Sequence, residues 1–374
     1  MRVLYKIYIV VIIMLLAVTG AITLFSDTRS YSANENRCLE EYPKASLKSV
    51  ISGEFQKNMA SALNDQFVQR DNLMALSMSI KKVFGYKDIG GVYLADDGYY
   101  IARIDEADIS KKMYLQNLRY VQYFLSKQKG SNAVILVPSA GNILKDKLPL
   151  YSECYDYDSM YKTAETVLSS SKVIDIRRNL QKAGKTEQIY YRTDHHWTLR
   201  GAYEAYAEYC KEMGLSIHKY DELDIEQVSK DFYGTLYSKI LDDSAIPDKI
   251  YALFSDNIKN VKITNNGKLT DSIYDDSKLK KKDKYAYFFG GNFGRVDINT
   301  GVKNGRKLLV IKDSFANSFI PFLIDSNSEI TMIDNRYYNG SISRLVHSSS
   351  YDNTMILYEM SNFAQDTNLY KLTE

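Results

Sequence analysis

Two histidines and the single tryptophan of the chain stand side by side at His195, His196 and Trp197, within the segment RTDHHWT at 192–198. Asp194 and His196 are two positions apart, so their side chains can point the same way if this stretch is extended. A carboxylate that holds one imidazole nitrogen fixes the tautomer and leaves the other nitrogen free as a general base. The segment therefore predicts an acid–base pair.

A base of this kind needs a nucleophile, and Ser314 is suitably placed. KLLVIK at 307–312 predicts a strand, Asp313 and Ser314 a turn, and ANSFIPFLI at 316–324 a helix. A serine between a strand and a helix exposes its hydroxyl at the sheet edge, near amides that can stabilise an oxyanion. The G-x-S-x-G elbow is absent, and the same serine could instead be a helix N-cap.

Asp194, His195 and His196 offer an alternative, a metal site. Zinc ligands on one helix face are commonly spaced as H-x-x-x-H, however, and adjacent histidines tend to diverge. The serine-dependent interpretation is therefore favoured, and neither a metal nor another cofactor is expected.

An alternation of helices and strands must position these residues. Apolar residues at helical spacing predict a helix over 115–125, ahead of a short apolar strand at 133–138. Further helices are predicted at 159–170 and 202–213, and further strands at 172–176, 187–191, 329–334 and 354–360. Repeated β-then-α units predict a parallel sheet with helices on its faces, where ligands bind beyond the carboxyl ends of the strands.

Two segments interrupt this pattern. GGVYLADDGYYIARI at 90–104 has alternating apolar residues around Asp96-Asp97-Gly98, which predicts a hairpin. Between about 216 and 300 come short strand-like runs, Asn-Gly at 266–267 and the charge run KLKKKDK at 278–284. We interpret this stretch as an inserted β-rich segment and the charge run as a solvated loop.

The first segment bears on the compartment. Arg2 and Lys6 precede the uncharged run Ile7–Ser26, which is close to the ~20 apolar residues that cross a bilayer. It exceeds the roughly 7–15 residues of the apolar run in a signal peptide, and Ala17-Val18-Thr19 is a poor cleavage site. The flanking charges favour a cytoplasmic N-terminus. We expect an uncleaved single-pass anchor in the cell membrane, with the rest of the chain extracytoplasmic.

These boundaries give three expected regions: an anchor at 1–26, a juxtamembrane stalk and hairpin at 27–104, and an α/β catalytic domain at 105–374. The 374 residues, 45% hydrophobic and 25% charged, describe an ordinary globular protein. A net charge of +2 provides no field that attracts a polyanion, so nucleic acid is not an expected partner. Cys38, Cys154 and Cys210 allow at most one disulfide, or are free thiols.

Several motifs together resemble the bacterial DHHW protein family. They are TDHHWT at 193–198, ENRCLEEYP at 35–43, DQFVQRD at 65–71, LLVIKDSFANSFIPFL at 308–323 and DNRYYN at 334–339. That family is similar in turn to the SGNH-hydrolase-like proteins that O-acetylate alginate in the periplasm, whose motif is Asp-x-His-Trp with a serine near the C-terminal end of the fold. The resemblance implies an SGNH-hydrolase-like, flavodoxin-type three-layer sandwich.

The resemblance also implies roles for single residues. Asp194 would be the acid, His196 the base and Ser314 the nucleophile of a catalytic triad. Gly290, Gly291 and Asn292 in FFGGNFG are candidates for the oxyanion site, because the usual SGNH blocks are not identifiable. Trp197 would be a sugar-stacking platform or part of the core. The residues expected to contact substrate are Arg192, His195, Trp197, Asn292 and Asp313.

The expected reaction is ping-pong acyl transfer through Ser314. An acyl group, by default acetyl, would pass to a sugar hydroxyl of a cell-envelope glycan or exopolysaccharide, or to water. The resemblance implies a donor delivered across the membrane by a multi-pass O-acyltransferase partner. The alternative is a non-catalytic protein that binds polysaccharide or acts as a scaffold in an envelope export complex; the 32 tyrosines could stack on sugars or only fill the core.

Overall fold

The computed structural model describes residues 2–32, 34, 37–303 and 305–374. Glu35 and Asn36 of the ENRCLEEYP motif, and the side chain of Arg2, lie outside the described part. The helices are α1 (Arg2–Phe25), α2 (Leu47–Ile51), α3 (Glu54–Gln66), α4 (Arg70–Val83), α5 (Lys111–Ser126), α6 (Ala140–Ile143), α7 (Tyr157–Val167), α8 (Arg177–Ala183), α9 (Leu199–Met213), α10 (Thr235–Ile240), α11 (Asp256–Lys259), α12 (Ala316–Phe319), α13 (Ile342–Ser348) and α14 (Met360–Gln365).

The strands are β1 (Tyr31–Ser32), β2 (Arg37–Cys38), β3 (Asp88–Ile89), β4 (Val92–Leu94), β5 (Tyr100–Ala102), β6 (Ser131–Val137), β7 (Lys172–Val173), β8 (Asp224–Phe232), β9 (Asp248–Phe254), β10 (Lys262–Asn265), β11 (Lys268–Thr270), β12 (Arg295–Asn299), β13 (Lys307–Lys312), β14 (Glu329–Ile333) and β15 (Asn353–Glu359).

The chain forms two compact units. The smaller comprises Met1–Tyr86 and Tyr237–Ser244, and the larger comprises Lys87–Leu236 and Ala245–Glu374. The hairpin β4–β5 is present as predicted, but it belongs to the larger unit and not to a stalk. Tyr99 and Ile101 are buried in the core of that unit, which explains the difference.

In the smaller unit, α1 is long and apolar enough over Val3–Phe25 to cross a membrane. Membrane anchors and signal sequences share this property, so the anchor and its orientation stay predictions. The last turn of α1 is attached to the following chain. The Tyr42 hydroxyl donates to the Thr23 carbonyl (3.2 Å) and the Val68 amide donates to Thr23 Oγ1 (3.1 Å).

The larger unit is built on an eight-stranded sheet of order β11-β10-β12-β14-β13-β15-β6-β7. Strands β14, β13, β15, β6 and β7 run parallel, as predicted. The sheet as a whole is mixed, because β12 pairs antiparallel with β14 and continues into β10 and β11. The segment predicted as an insertion therefore extends the central sheet, while its β8 and β9 form a separate antiparallel pair.

Side chains of the central strands alternate between two cores. In β13, Leu308 and Val310 face one core, and Leu309 and Ile311 face the other. The first core includes residues of α9 and α12, and the second includes residues of α5, α7 and α14. Mixed α/β architecture is thus present; the finer flavodoxin-type three-layer description stays a prediction. The described cysteines Cys38, Cys154 and Cys210 are all unpaired.

The predicted strand at 187–191 is not a sheet strand. The chain instead turns back on itself, with one bridge between Tyr190 and Trp197 and a hydrogen bond from the Thr198 amide to the Ile189 carbonyl (2.9 Å). Helix α9 then packs so closely that a Cβ on Gly201 would lie 2.2 Å from that same carbonyl oxygen. Residues 190–197 therefore form a tight loop, the histidine loop, which contains both His195 and His196.

Gly201→Ala should lower the free energy of unfolding by about 1–3 kcal/mol, because the added methyl meets rigid backbone. Chemical denaturation followed by circular dichroism measures this. Lys211→Ala, on the exposed side of the same helix, should change it by less than about 0.5 kcal/mol. Equal stability of the two variants would show that the loop and α9 are not tightly packed.

Candidate functional site

Asp194 and His196 meet Ser314, which is distant in sequence, in the larger unit. His196 Nδ1 lies 2.6 Å from Asp194 Oδ1, and His196 Nε2 lies 2.7 Å from the Ser314 hydroxyl oxygen. All three residues are buried. With the Nδ1 proton donated to the carboxylate, Nε2 can accept the hydroxyl proton of the serine. The arrangement can thus generate a nucleophilic alkoxide.

The Asp194–His196 pair forms by a different backbone geometry from the one predicted. Residues 192–196 are bends and not extended chain. Asp194 Oδ1 accepts the His196 backbone amide (3.0 Å) as well as the ring nitrogen. The carboxylate therefore closes a local turn, and this turn aims the imidazole.

The second oxygen of Asp194 is held by a residue that the sequence did not indicate. Thr235 donates to Oδ2 through its amide (2.8 Å) and its hydroxyl (3.0 Å), and the same hydroxyl accepts from His195 Nδ1 (2.8 Å). A Cβ on Gly234 would lie 2.2 Å from the Asp194 Cβ, so only glycine allows this approach. No local motif marks Gly234 or Thr235 in the sequence.

The electrostatics keep Asp194 ionised. Burial alone would raise the pKa of its carboxyl group, but the neighbouring His195 and His196 and the hydrogen bonds from His196 and Thr235 outweigh burial and lower this pKa well below its usual value. A carboxylate that remains charged stabilises an imidazolium beside it.

Aromatic rings fix the His196 imidazole. Tyr285 stacks on it with 3.9 Å between the ring centres and 13° between the ring planes, and His195 lies against it with 3.9 Å between the centres and 37° between the planes. The Tyr285 hydroxyl donates to the Ser314 carbonyl (3.1 Å) and contacts Ser318 Oγ (3.1 Å). Tyr285 therefore connects the base to the turn at Asp313 and Ser314, the serine turn. Tyr285 follows directly after the charge run, and no local motif indicates this role.

Ser314 is not the N-cap of the following helix. That position is occupied by Phe315, and α12 begins at Ala316 without a side-chain cap. The hydroxyl of Ser314 is bonded to His196 instead. The predicted helix over 316–324 is a short α-helix followed by a 3₁₀ segment, Ile320–Ser326.

Asp313 is fully buried and stabilises the turn, which corrects the expectation that it contacts substrate. Its carboxylate accepts the amides of Phe315 (3.0 Å) and Glu359 (3.0 Å) and the side-chain amide of Asn362 (2.9 Å). These donors come from its own turn and from the end of β15. No face of the carboxylate is exposed to a ligand.

A buried lysine braces the same turn. The Lys312 ammonium donates to Asn317 Oδ1 (2.8 Å) and Asn292 Oδ1 (3.3 Å), and the Asn317 amide nitrogen donates to Asn292 Oδ1 (3.1 Å). Asn317 also donates its backbone amide to the Ser314 carbonyl (3.1 Å). Because an ammonium only donates, it fixes which way both side-chain amides face. The exposed Asn292 thus has its NH₂ group directed away from Lys312.

The other predicted contact residues occupy different environments. Trp197 is fully buried, and its indole N–H donates to the Phe315 carbonyl and to Ser318 Oγ (both 3.0 Å). It is therefore core, and the sugar-platform alternative is wrong. His195 is half-buried beside the triad. Gly290 and Gly291 have positive φ values of 78° and 120°, which gives the loop before Asn292 its tight course.

Arg192 lines a cleft on the flank of the histidine loop. Its guanidinium donates to the carbonyl of Asp97 (3.0 Å) and to Gln188 Oε1 (2.8 Å). The cleft has a volume of about 600 Å³, within the range of small-molecule sites. Tyr191, Arg200, Tyr220, Lys249 and Tyr251 are among its other lining residues.

The metal alternative has a geometric basis, because ligand atoms of Asp194, His195 and His196 lie within 4.8 Å of one another. Their hydrogen bonds compete with it. Both Asp194 oxygens accept from protein donors, and both His196 nitrogens contact Asp194 or Ser314. A bound cation would have to displace these partners.

Lys312→Met should reduce the rate at which a sulfonyl fluoride modifies Ser314 by roughly tenfold, because Asn292 stays in place but loses the group that orients it. Complete loss of such a hydrogen-bond donor would cost more, about 10²–10³. Burial lowers the pKa of Lys312 to about 8, against the opposing effect of Asp334, with Arg336 and Asp313 the other charges nearby. The ammonium is charged below this pH and loses its proton above it. The modification rate should therefore fall as pH rises through about 8 in the unaltered chain, but not in the variant.

The rate is measured by mass spectrometry of the adduct over a pH series. Lys307→Met, at the opposite end of β13 and paired with Glu329, serves as the matched control and should leave both rate and pH profile unchanged. Identical profiles for all three chains would show that Lys312 does not act on the turn.

Comparisons with known proteins agree with this architecture. A DHHW family protein from Eubacterium siraeum superposes with a TM-score of 0.66 and 23% identity, covering 76% of this chain and 96% of that one. PatB1 from Bacillus cereus, with a sulfonyl adduct, superposes with a TM-score of 0.59 at 18% identity, covering 75% of this chain and 99% of that one. The O-acetyltransferase domain of AlgJ from Pseudomonas putida gives only 0.46 and 13%, covering 74% and 93%, a likeness too weak to argue from.

At these identities the first two likenesses show a shared fold. No curated protein matches the chain. The DHHW protein family model, however, matches residues 159–333, which include Asp194, His196 and Ser314. The predicted resemblance to the DHHW family is therefore confirmed: the chain is similar to that family in sequence over residues 159–333, and to one of its solved members in fold over 76% of its length.

Proposed function

We propose that the protein is a serine-dependent O-acyltransferase or esterase with Ser314, His196 and Asp194 as its catalytic triad. The observation that supports this most directly is the continuous hydrogen-bond chain from Asp194 through His196 to the Ser314 hydroxyl. A buried charged carboxylate, a fixed imidazole and a serine on a tight turn are the parts that acyl transfer requires.

In the proposed first step, Ser314 Oγ attacks the carbonyl carbon of the donor while His196 Nε2 takes the hydroxyl proton. The tetrahedral intermediate collapses, the bond to the leaving group breaks, and His196 returns the proton to that group. A sugar hydroxyl or water then attacks the acyl-enzyme by the reverse sequence. Asn292 is our candidate donor to the oxyanion, because its amide orientation is fixed by Lys312 and Asn317.

The substrate assignment extends this proposal. We propose acetyl as the acyl group and a cell-envelope glycan or exopolysaccharide as the acceptor, with the donor delivered by a multi-pass membrane O-acyltransferase. The apolar helix α1 supports a membrane-anchored protein. We place its N-terminus in the cytoplasm and the catalytic unit outside.

Ser314→Ala and His196→Ala should each reduce turnover of a chromogenic acetyl ester by at least about 10³, because triad members act as a unit. Turnover is measured spectrophotometrically on the full chain in detergent, with and without a chelator. His195→Ala, which removes the neighbouring imidazole and leaves the triad in place, should cost less than about tenfold.

Two results would refute the assignment. Unchanged turnover in Ser314→Ala would show that Ser314 is not the nucleophile, and loss of turnover in chelator would favour the metal alternative. The Ser314→Ala/His196→Ala double variant should be no slower than either single variant.

A non-catalytic polysaccharide-binding protein is the second candidate, and the cleft beside Arg192 favours it. Tyr220 and Tyr251 line that cleft together with Arg200 and Lys249, and tyrosine rings with charged neighbours suit sugar rings. Such a cleft could equally hold the acceptor of an enzyme.

Tyr251→Ala should weaken binding of an acceptor glycan by roughly 1–2 kcal/mol if the cleft holds sugar, as measured by calorimetry. Under the enzyme proposal the same variant keeps normal turnover of the small ester, whereas Ser314→Ala abolishes turnover and still binds glycan. Glycan binding without any ester turnover in the unaltered chain would favour the binding function.

A further inference from the structure

Helix α4 of the smaller unit exposes a continuous apolar stripe. Leu73 is 48% exposed, Leu76 55%, Ile80 49% and Val83 85%, and Phe84, directly after the helix, is 77% exposed. Isolated exposed apolar residues are ordinary, but an aligned set of five is not.

The stripe lies on the side of α4 that faces away from the protein. At about 100° per residue, the five positions fall within a sector of about 100° on the helix. Met78, which is only 2% exposed, falls on the opposite side. The helix therefore has two apolar faces, and the protein covers one of them.

A second helix of the same unit repeats this feature. Leu47 and Ile51 of α2 are four positions apart, hence on one face, and they are 79% and 77% exposed. The unit as a whole thus presents apolar surface that water does not favour.

The connection to α1 identifies the medium that would cover this surface. Val68, two residues before α4, is bonded to Thr23 in the last turn of α1, and so is Tyr42. If α1 crosses the bilayer, α4 starts where α1 leaves it. Interfacial helices place apolar side chains about 5–10 Å below the headgroups and keep basic residues at the polar boundary. Lys81 in the last turn of α4 supplies such a residue, whereas Lys82 pairs with Asp242 (2.8 Å) on the side away from the stripe.

We propose that α4 lies on the outer membrane surface, with its apolar stripe (Leu73, Leu76, Ile80, Val83 and Phe84) inserted among the lipids. The proposal rests on the membrane anchoring by α1 that we propose above. It is independent of the chemistry of the triad.

Tryptophan fluorescence of the full chain in vesicles tests this, because the native Trp197 is fully buried and provides an internal reference. Phe84→Trp and Ile80→Trp are reconstituted into phosphatidylcholine–phosphatidylglycerol vesicles with or without brominated acyl chains. The additional emission of each variant should fall to about half or less with bromine, since its ring reaches the acyl boundary. Ser79→Trp, about 140° from Phe84 around the helix, should be quenched much less.

The controls separate the proposal from its premise. Release of the chain from membranes by alkaline carbonate would show that α1 is no anchor, and the proposed localisation would fail. Retention of the chain with unquenched Phe84→Trp and Ile80→Trp would overturn only the interfacial placement of α4. Protection of the stripe by a second copy, seen as a lipid-independent dimer with no quenching, would overturn it as well. Circular dichroism shows whether each variant folds.

Discussion

The site depends on one buried charge, the Asp194 carboxylate. It accepts hydrogen bonds from the His196 amide and ring and from the amide and hydroxyl of Thr235. An isolated buried carboxylate would be costly, and the neighbouring His195 and His196 together with these four donors allow it to stay ionised. The tight histidine loop, the glycine at 234 and the β-rich segment that supplies Thr235 all take positions that satisfy this group.

The serine turn follows the same principle at the end of β13. Asp313 accepts donors from β15 and from its own turn, while Lys312 reaches the amides of Asn317 and Asn292. Replacing paired buried ions together by well-packed apolar residues is often neutral for stability. The presence of both ions on either side of the backbone that leads to Ser314 is therefore better explained by precise placement of the hydroxyl than by stability.

Local patterns in the sequence predicted the parts of this structure that depend on neighbouring residues. The parallel strands, the hairpin at 92–102 and the pairing of Asp194 with His196 follow from apolar alternation and short spacing. Thr235 and Tyr285 escaped prediction because they reach the histidine only through tertiary packing of a segment interpreted as an insertion. The pairing of the antiparallel strands β10–β12 with the central sheet was missed, and the two alternatives for Trp197 stayed open, for the same reason: pairing partners and depth are not encoded in a local pattern.

The stacked Tyr285 ring has a consequence for the order of events. The centres of the Tyr285 and His195 rings each lie 3.9 Å from the centre of the His196 ring, and Asp194 holds Nδ1. These contacts hold the imidazole in one orientation between half-reactions. Its single free nitrogen must serve the departing group and the arriving hydroxyl in turn, at the same spot. In the proposed reaction, donor and acceptor would therefore bind at the same position one after the other, and the first product must leave before the second substrate binds.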